Sequence, residues 1–227
     1  MGLTAQYRGP DDLPKRIPVF PLRGTILLPR ASLPLNIFEP RYLTMLDDAL
    51  ASDRIVGIIQ PAQTADEGES PRGKSAPLRE IGCAGRITSY QEVEDGRRLI
   101  TLTGIARFEV TAELASTTPY RICQITAERF VDDFETGHGE ADVDRPALLD
   151  VLKRYLEANH LNADWTAINR ATTEFLVNSL SLMSPYGPEE KQALLEAIDL
   201  AKRAEVLIAL ARMERAKPDD GSGSAIQ

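Results

Sequence analysis

Only two cysteines, Cys83 and Cys123, and two histidines, His138 and His160, occur in the 227 residues of this chain. Both thiols fall in apolar, strand-like runs far apart in sequence. A disulfide framework belongs to small secreted chains with more cysteines, and the pair offers no metal-ligand spacing, so two buried, reduced thiols are expected. No HExxH occurs and neither histidine has a metal spacing. His138 lies in a glycine-flanked connector, and His160 sits at an expected helix end, where it suits a C-terminal cap. Long apolar runs are also missing. None approaches the ~20 residues that span a membrane, and the N-terminal residues lack the apolar core of a signal peptide. The opening Met1-Gly2 has Gln6 where a myristoylation site needs Ser or Thr. A cytoplasmic protein without membrane association is the expectation. Basic charge is scarce too. The net charge is −8, and the 20 arginines and 6 lysines are scattered, a poor basis for tracking a phosphate backbone.

What is present is ordinary for a globular protein: 43% hydrophobic and 26% charged residues. The length allows one large domain or two modest ones. Residues 1–14 are polar and contain Gly9-Pro10 and Asp11-Asp12, which reads as a flexible N-terminus. Residues 61–78 hold almost no large apolar group and read as a flexible loop, and residues 217–227 as a disordered tail. Between them, residues 15–132 read as strands. Ile55 to Ile59 is a continuous apolar run. The runs Ile81 to Val93 and Leu99 to Thr103 flank Asp95-Gly96, a strong hairpin signal because glycine takes the positive φ the turn needs. Phe108 to Leu114 and Tyr120 to Phe130 add two more strands. One helix is expected after Pro40, with Leu43, Leu46, Ala49 and Leu50 on its inner face. Residues 140–216 switch to helical period. Asp144 and Asp164 are candidate caps, Leu148, Leu149, Leu152, Tyr155 and Leu156 form one face, and Phe175, Leu176, Leu180 and Met183 mark another helix. Pro188-Glu189-Glu190 and Asp199 open the last two. The class is therefore α+β, a β-rich half followed by a helical half.

Proline cuts the opening at nearly every turn: Arg16-Ile17-Pro18-Val19-Phe20-Pro21-Leu22-Arg23, then Leu27-Leu28-Pro29, then Leu33-Pro34-Leu35-Asn36-Ile37-Phe38-Glu39-Pro40-Arg41-Tyr42. Such runs read as brief edge strands and crossing loops. Three further blocks follow in order: Glu80 to Ile87 with Gly82 and Gly85; Asp95-Gly96 followed by Leu102-Thr103-Gly104-Ile105-Ala106-Arg107-Phe108; and Glu190 to Glu196. Together, over about residues 16–214, they resemble the Lon N-terminal (substrate-binding) domain family. The resemblance implies a PUA-like β-barrel packed against a C-terminal helical bundle. Read from the residues alone, Gly104 ends a strand, and Gly82 and Gly85 suit a tight bend or a close backbone approach.

Catalytic chemistry is hard to find. Gly68-Glu69-Ser70-Pro71-Arg72-Gly73-Lys74-Ser75 matches a phosphate loop letter by letter, but no strand–loop–helix frame surrounds it and Glu69 would repel phosphate. It is read as accidental. Gly82-x-x-Gly85 lies in β-like sequence and lacks the basic residues and flanking helices of an RNA-clamping loop. Carboxylate pairs such as Asp47-Asp48 and Glu189-Glu190 read as solvated faces. No catalytic residue, metal ligand or cofactor is assigned. By resemblance, the chain is a non-enzymatic module, lacking the family's ATPase and Ser-Lys protease domains, that binds unfolded or tagged polypeptides, or a partner protein such as a protease. Candidate contact residues are Phe20, Leu22, Ile26, Leu27, Leu28, Phe38 and Tyr42, apolar side chains in the proline-cut opening. The alternative is RNA binding, which other PUA-like folds perform; the acidic balance weighs against it. Sequence leaves the oligomeric state open.

Overall fold

Proline placement shapes the first strands. In the computed structural model, which describes residues 6–62, 76–94, 96–158 and 162–216, β1 (Arg16–Pro21) is an interior strand rather than the expected edge. It pairs antiparallel with β6 (Arg121–Thr126) over Arg16 to Val19 and parallel with β3 (Ile55–Pro61) over Val19 to Pro21. Each proline thus falls where only one neighbour is paired: Pro18 faces Ile122 of β6, and Pro21 faces Ile59 of β3. The missing amides cost no ladder bond there. Among the described residues, only β2 (Ser32–Ile37), which contains Pro34, is a true edge.

β4 (Leu78–Glu92) and β5 (Arg98–Leu114) are long antiparallel strands. The sheet runs β2-β5-β4-β3-β1-β6, and an additional β5–β6 pairing links the end of that order back to β5. β5 manages this by giving residues 98–103 to β2 and residues 109–114 to β6. The two strands expected at Leu99 to Thr103 and Phe108 to Leu114 are therefore one, and Gly104 does not end it. A Cβ on Gly104 would stand 2.0 Å from the carbonyl oxygen of Leu28, so close backbone approach, not strand termination, demands glycine. The expected hairpin does form: Val93 and Arg97 are bonded across it and Gly96 has φ +84°; Asp95 lies outside the described residues.

Six helices follow the sequence punctuation. α1 (Pro40–Leu50) buries Tyr42, Met45, Leu46 and Ala49. α2 (Arg145–Ala158) starts where the Asp144 carboxylate accepts the Ala147 amide at 3.0 Å. α3 (Trp165–Arg170) is capped by Asp164, and α4 (Thr173–Met183) by Thr172. α5 (Pro188–Glu196) and α6 (Leu200–Ala216) complete the set. The helical half shares its apolar core with the sheet: Leu148, Leu176, Val177, Leu194, Leu195 and Leu207 join one cluster with Ile26, Leu27, Leu28, Ile58 and Leu102. A second cluster lies around Phe108, with Ile17, Val19, Ile55 and Cys123. That cluster corrects another expectation. Tyr7 and Leu13, in the stretch read as flexible, are buried in it, and Arg86 donates to the Tyr7 hydroxyl at 2.8 Å. The expected loop and tail fall largely on residues 63–75 and 217–227, outside the described residues.

Candidate functional site

Two places on this scaffold bring unusual side chains together. The first is a groove of about 270 Å³ at the end of the sheet where β1 and β3 leave and β6 enters. It is lined by Pro21, Pro61 and Pro119, by Tyr42 and Tyr120, and by Arg41 and Arg121. α1 supplies two of these because Pro40 starts the helix and puts Arg41 and Tyr42 in the first turn. The Arg41 guanidinium stacks over the Tyr42 ring at 4.5 Å and pairs with Glu39 at 2.8 Å. Tyr42 in turn packs on Phe20, ring centroids 4.1 Å apart. Arg121 grips the Glu113 carboxylate through two nitrogens and donates to the Ala76 carbonyl at 2.8 Å.

Two phenols line the groove, Tyr42 and Tyr120. Burial, then a 2.6 Å hydrogen bond to Asp48, pushes the Tyr120 phenol up to about 12, and burial also raises Tyr42. Both are neutral phenols at physiological pH, while Arg121 holds Glu113 below the usual carboxylate range by hydrogen bonding. The groove thus sets proline and tyrosine rings beside two guanidinium groups, Arg41 over the Tyr42 ring and Arg121 on Glu113.

The second place is the boundary between sheet and helices. Arg107, on β5, donates from Nε and Nη2 to the Asp133 carboxylate, both at 2.8 Å, and from Nη1 to the Leu195 and Ala197 carbonyls at the C-terminal end of α5. Arg30, held at φ +61°, pairs with Glu174 and donates to the Asp133 carbonyl at 2.6 Å. Arg203 donates to the Leu194 carbonyl at 2.9 Å and the Asn178 side chain at 3.0 Å. Burial, then the Arg107 charge, pushes Arg203 down to about 10. The cavity among these groups is about 30 Å³, room for little more than water. These buried charges grip carbonyls and helix ends where the helical half meets the sheet.

Both cysteine thiols are buried. Burial pushes the Cys123 thiol up to about 11 and Cys83 further, so neither is a thiolate at neutral pH. Among the described residues, no three His, Cys, Asp or Glu are placed to hold a metal ion. His138 faces Glu135 at 3.1 Å and Asp132 at 3.7 Å, and the Glu135 hydrogen bond, then Asp132, raises its pKa. His160 and the Gly68 to Ser75 match lie outside the described residues. Lys191 is buried, its Nζ donating to the Ser181 and Leu182 carbonyls at the end of α4 (2.7 and 2.6 Å), and burial pushes it down to about 8. The neutral amine keeps both N–H bonds. A lysine whose pKa falls on folding disfavours the fold while it is charged, so this penalty is full below about pH 8 and fades as pH rises toward its ordinary value near 10.5. Urea titrations of wild type and Lys191→Met across that range should therefore show wild type gaining on the variant; a constant difference would mean that Lys191 does not titrate.

Of the seven apolar residues singled out in sequence, Ile26, Leu27 and Leu28 are at most 2% exposed, and Phe20 and Tyr42 at most 7%. They are core. Leu27 lies against Gly85, where a Cβ would come within 2.6 Å of its Cδ2. Leu22 is half-buried against the same core, and only Phe38, 64% exposed, stands in solvent. Tyr42 reaches the groove through its edge. Sequence reading missed Arg41, Pro61, Pro119, Tyr120 and Arg121, although Arg41 and the proline-ended strands were visible.

Residues 16–212 match the family of the ATP-dependent protease La (LON) substrate-binding domain. The chain belongs to this family. Similar proteins include the Lon protease of Flavobacterium johnsoniae, 29% identical over 201 residues, covering 86% of this chain and 23% of that protein. Lon protease 2 of Myxococcus xanthus is 26% identical over 212 residues, covering 90% and 24%. The chain thus spans about a quarter of the length of these relatives. Two solved structures share the fold. The Lon N-terminal domain protein of Xanthomonas campestris has TM-score 0.58 at 21% identity, covering 86% of this chain and 97% of that one. The N-terminal domain of the Mycobacterium avium complex Lon protease has TM-score 0.63 at 19% identity, covering 87% and 98%. The α+β class expected from sequence is therefore shown, as is the family.

Proposed function

We propose that this Lon substrate-binding domain family member is a non-enzymatic module that holds unfolded or tagged polypeptide in the proline- and tyrosine-walled groove, and delivers it to a partner protease. The groove's composition carries this reading: a stacked arginine, rigid proline rings and neutral phenols. A cytoplasmic setting fits the two reduced, buried cysteines. Family membership supports polypeptide as the ligand class; the acidic balance argues against RNA.

The test is binding of the purified chain to a reduced, carboxymethylated protein and to its native form, with RNA and Mg-ATP as controls. Selective capture of the unfolded form is expected. Pro119 is exposed on the groove wall, so Pro119→Glu should weaken capture about tenfold, or ~1.4 kcal/mol, with the melting temperature held. Equal capture of native and unfolded forms, or tighter binding of RNA, would refute the proposal.

A further inference from the structure

β2 ends the sheet, and no described strand or main-chain group pairs with its outer side. The phase of its ladder is fixed. The Gly104 amide donates to the Ala31 carbonyl at 2.9 Å, and β2 then runs against β5 with no register shift, from Ser32 opposite Thr103 to Ile37 opposite Arg98. In an antiparallel pair, residues alternate between bonding their partner and turning both backbone groups away. Leu33, Leu35 and Ile37 therefore bond β5, while Ser32, Pro34 and Asn36 turn outward. Pro34 falls on the outward set, as a strand proline must. The outer edge thus presents two amides, on Ser32 and Asn36, and three carbonyls, repeating every two residues or about 6.8 Å.

Edges are blunted with charge, above all lysine, with proline or by keeping the strand short. β2 has no charged residue; Pro34 guards one outward position, and Ser32 and Asn36 on either side are exposed and small enough to let another backbone approach. Leu33 and Leu35 face the core yet remain only half-buried. Their uncovered halves are what a missing neighbour strand would shield. Phe38, 64% exposed, follows directly, and the chain then enters Arg41 and Tyr42 of the groove.

We infer that the β2 edge takes an extended polypeptide segment as an added strand, its main chain bonded to Ser32, Pro34 and Asn36 and its alternate apolar side chains laid on Leu33 and Leu35. This rests on the polypeptide-binding reading above and names how the chain is held. Recognition through backbone leaves ligand sequence largely free, apart from apolar alternation, which suits unfolded clients.

The probe is a short acetylated peptide alternating valine with threonine, compared with the same peptide N-methylated at alternate residues. Hydrogen exchange at the Ser32 and Asn36 amides should slow on binding, while Leu33 and Leu35, already bonded, change little. N-methylation in the bonding phase should cost tenfold or more. Asn36→Pro, which deletes an outward amide without touching the β5 ladder, should do the same with an unchanged melting temperature, and Asn36→Lys should weaken binding by guarding the edge. If the methylated peptide binds as tightly as its parent and edge exchange is unaltered, while Pro119→Glu still blocks capture, the edge is not the site and the groove reading stands. No binding of peptide or unfolded protein overturns both. A doubled mass in solution that Asn36→Pro returns to monomer assigns the edge to a second copy of this chain and overturns the inference.

Discussion

Leu27→Asp should unfold the protein at room temperature. Leu27 is fully buried in the cluster that joins sheet and helices, its methyl group pressed onto the backbone at Gly85. Removing a buried leucine costs about 2–5 kcal/mol through lost transfer energy and the cavity left behind. A carboxyl in its place adds several more, because it is either charged without a partner or neutral without hydrogen bonds. The sum rivals the ~5–15 kcal/mol that holds a domain together. Circular dichroism and limited proteolysis should show an unfolded chain, and Leu27→Ala a folded one with a lower urea midpoint. Phe38→Asp is the contrast: at 64% exposure it should move stability by no more than about 0.5 kcal/mol. A Leu27→Asp protein that stayed folded and lost only polypeptide binding would return Leu27 to the surface and refute the packing described above.

That contrast shows where sequence is informative. Periodicity and punctuation carry local structure. Pro40 and Pro188 open helices, Asp144 and Asp164 cap them, and Gly96 turns the hairpin, because each acts within a few residues of itself. Exposure is a property of the assembled fold. Leu28 and Phe38 look alike in a proline-cut apolar run, yet one is buried by helices over a hundred residues later and the other is not. The same limit hid the continuity of β5. Gly104 resembles a strand end until the Leu28 carbonyl, brought in by the loop before β2, occupies the space where a side chain would stand. The groove is a third case. Pro21 and Pro61 end β1 and β3 and Pro119 lies just before β6, and only the parallel pairing of β1 with β3, beside β6, sets those positions side by side.

Buried charge was the least legible feature, since arginines on strands and helices are more often solvated. Arg107 is 3% exposed, paired with Asp133 and gripping the Leu195 and Ala197 carbonyls at the C-terminal end of α5. Arg107→Leu should cost about 3–5 kcal/mol, mostly by stranding the Asp133 charge out of water. Asp133 retains the Arg107 main-chain amide at 2.9 Å, which leucine preserves, so the loss reports the guanidinium itself. Arg107→Leu with Asp133→Asn should be less destabilising than the sum of the two single changes by about 1–3 kcal/mol. Because Arg107 ties β5 to α5, amide exchange should also quicken in α5 and α6 before the sheet opens. Unchanged exchange in those helices with a cost below about 1 kcal/mol would show that apolar packing alone seats the helical half, leaving the arginine clasp no positioning role.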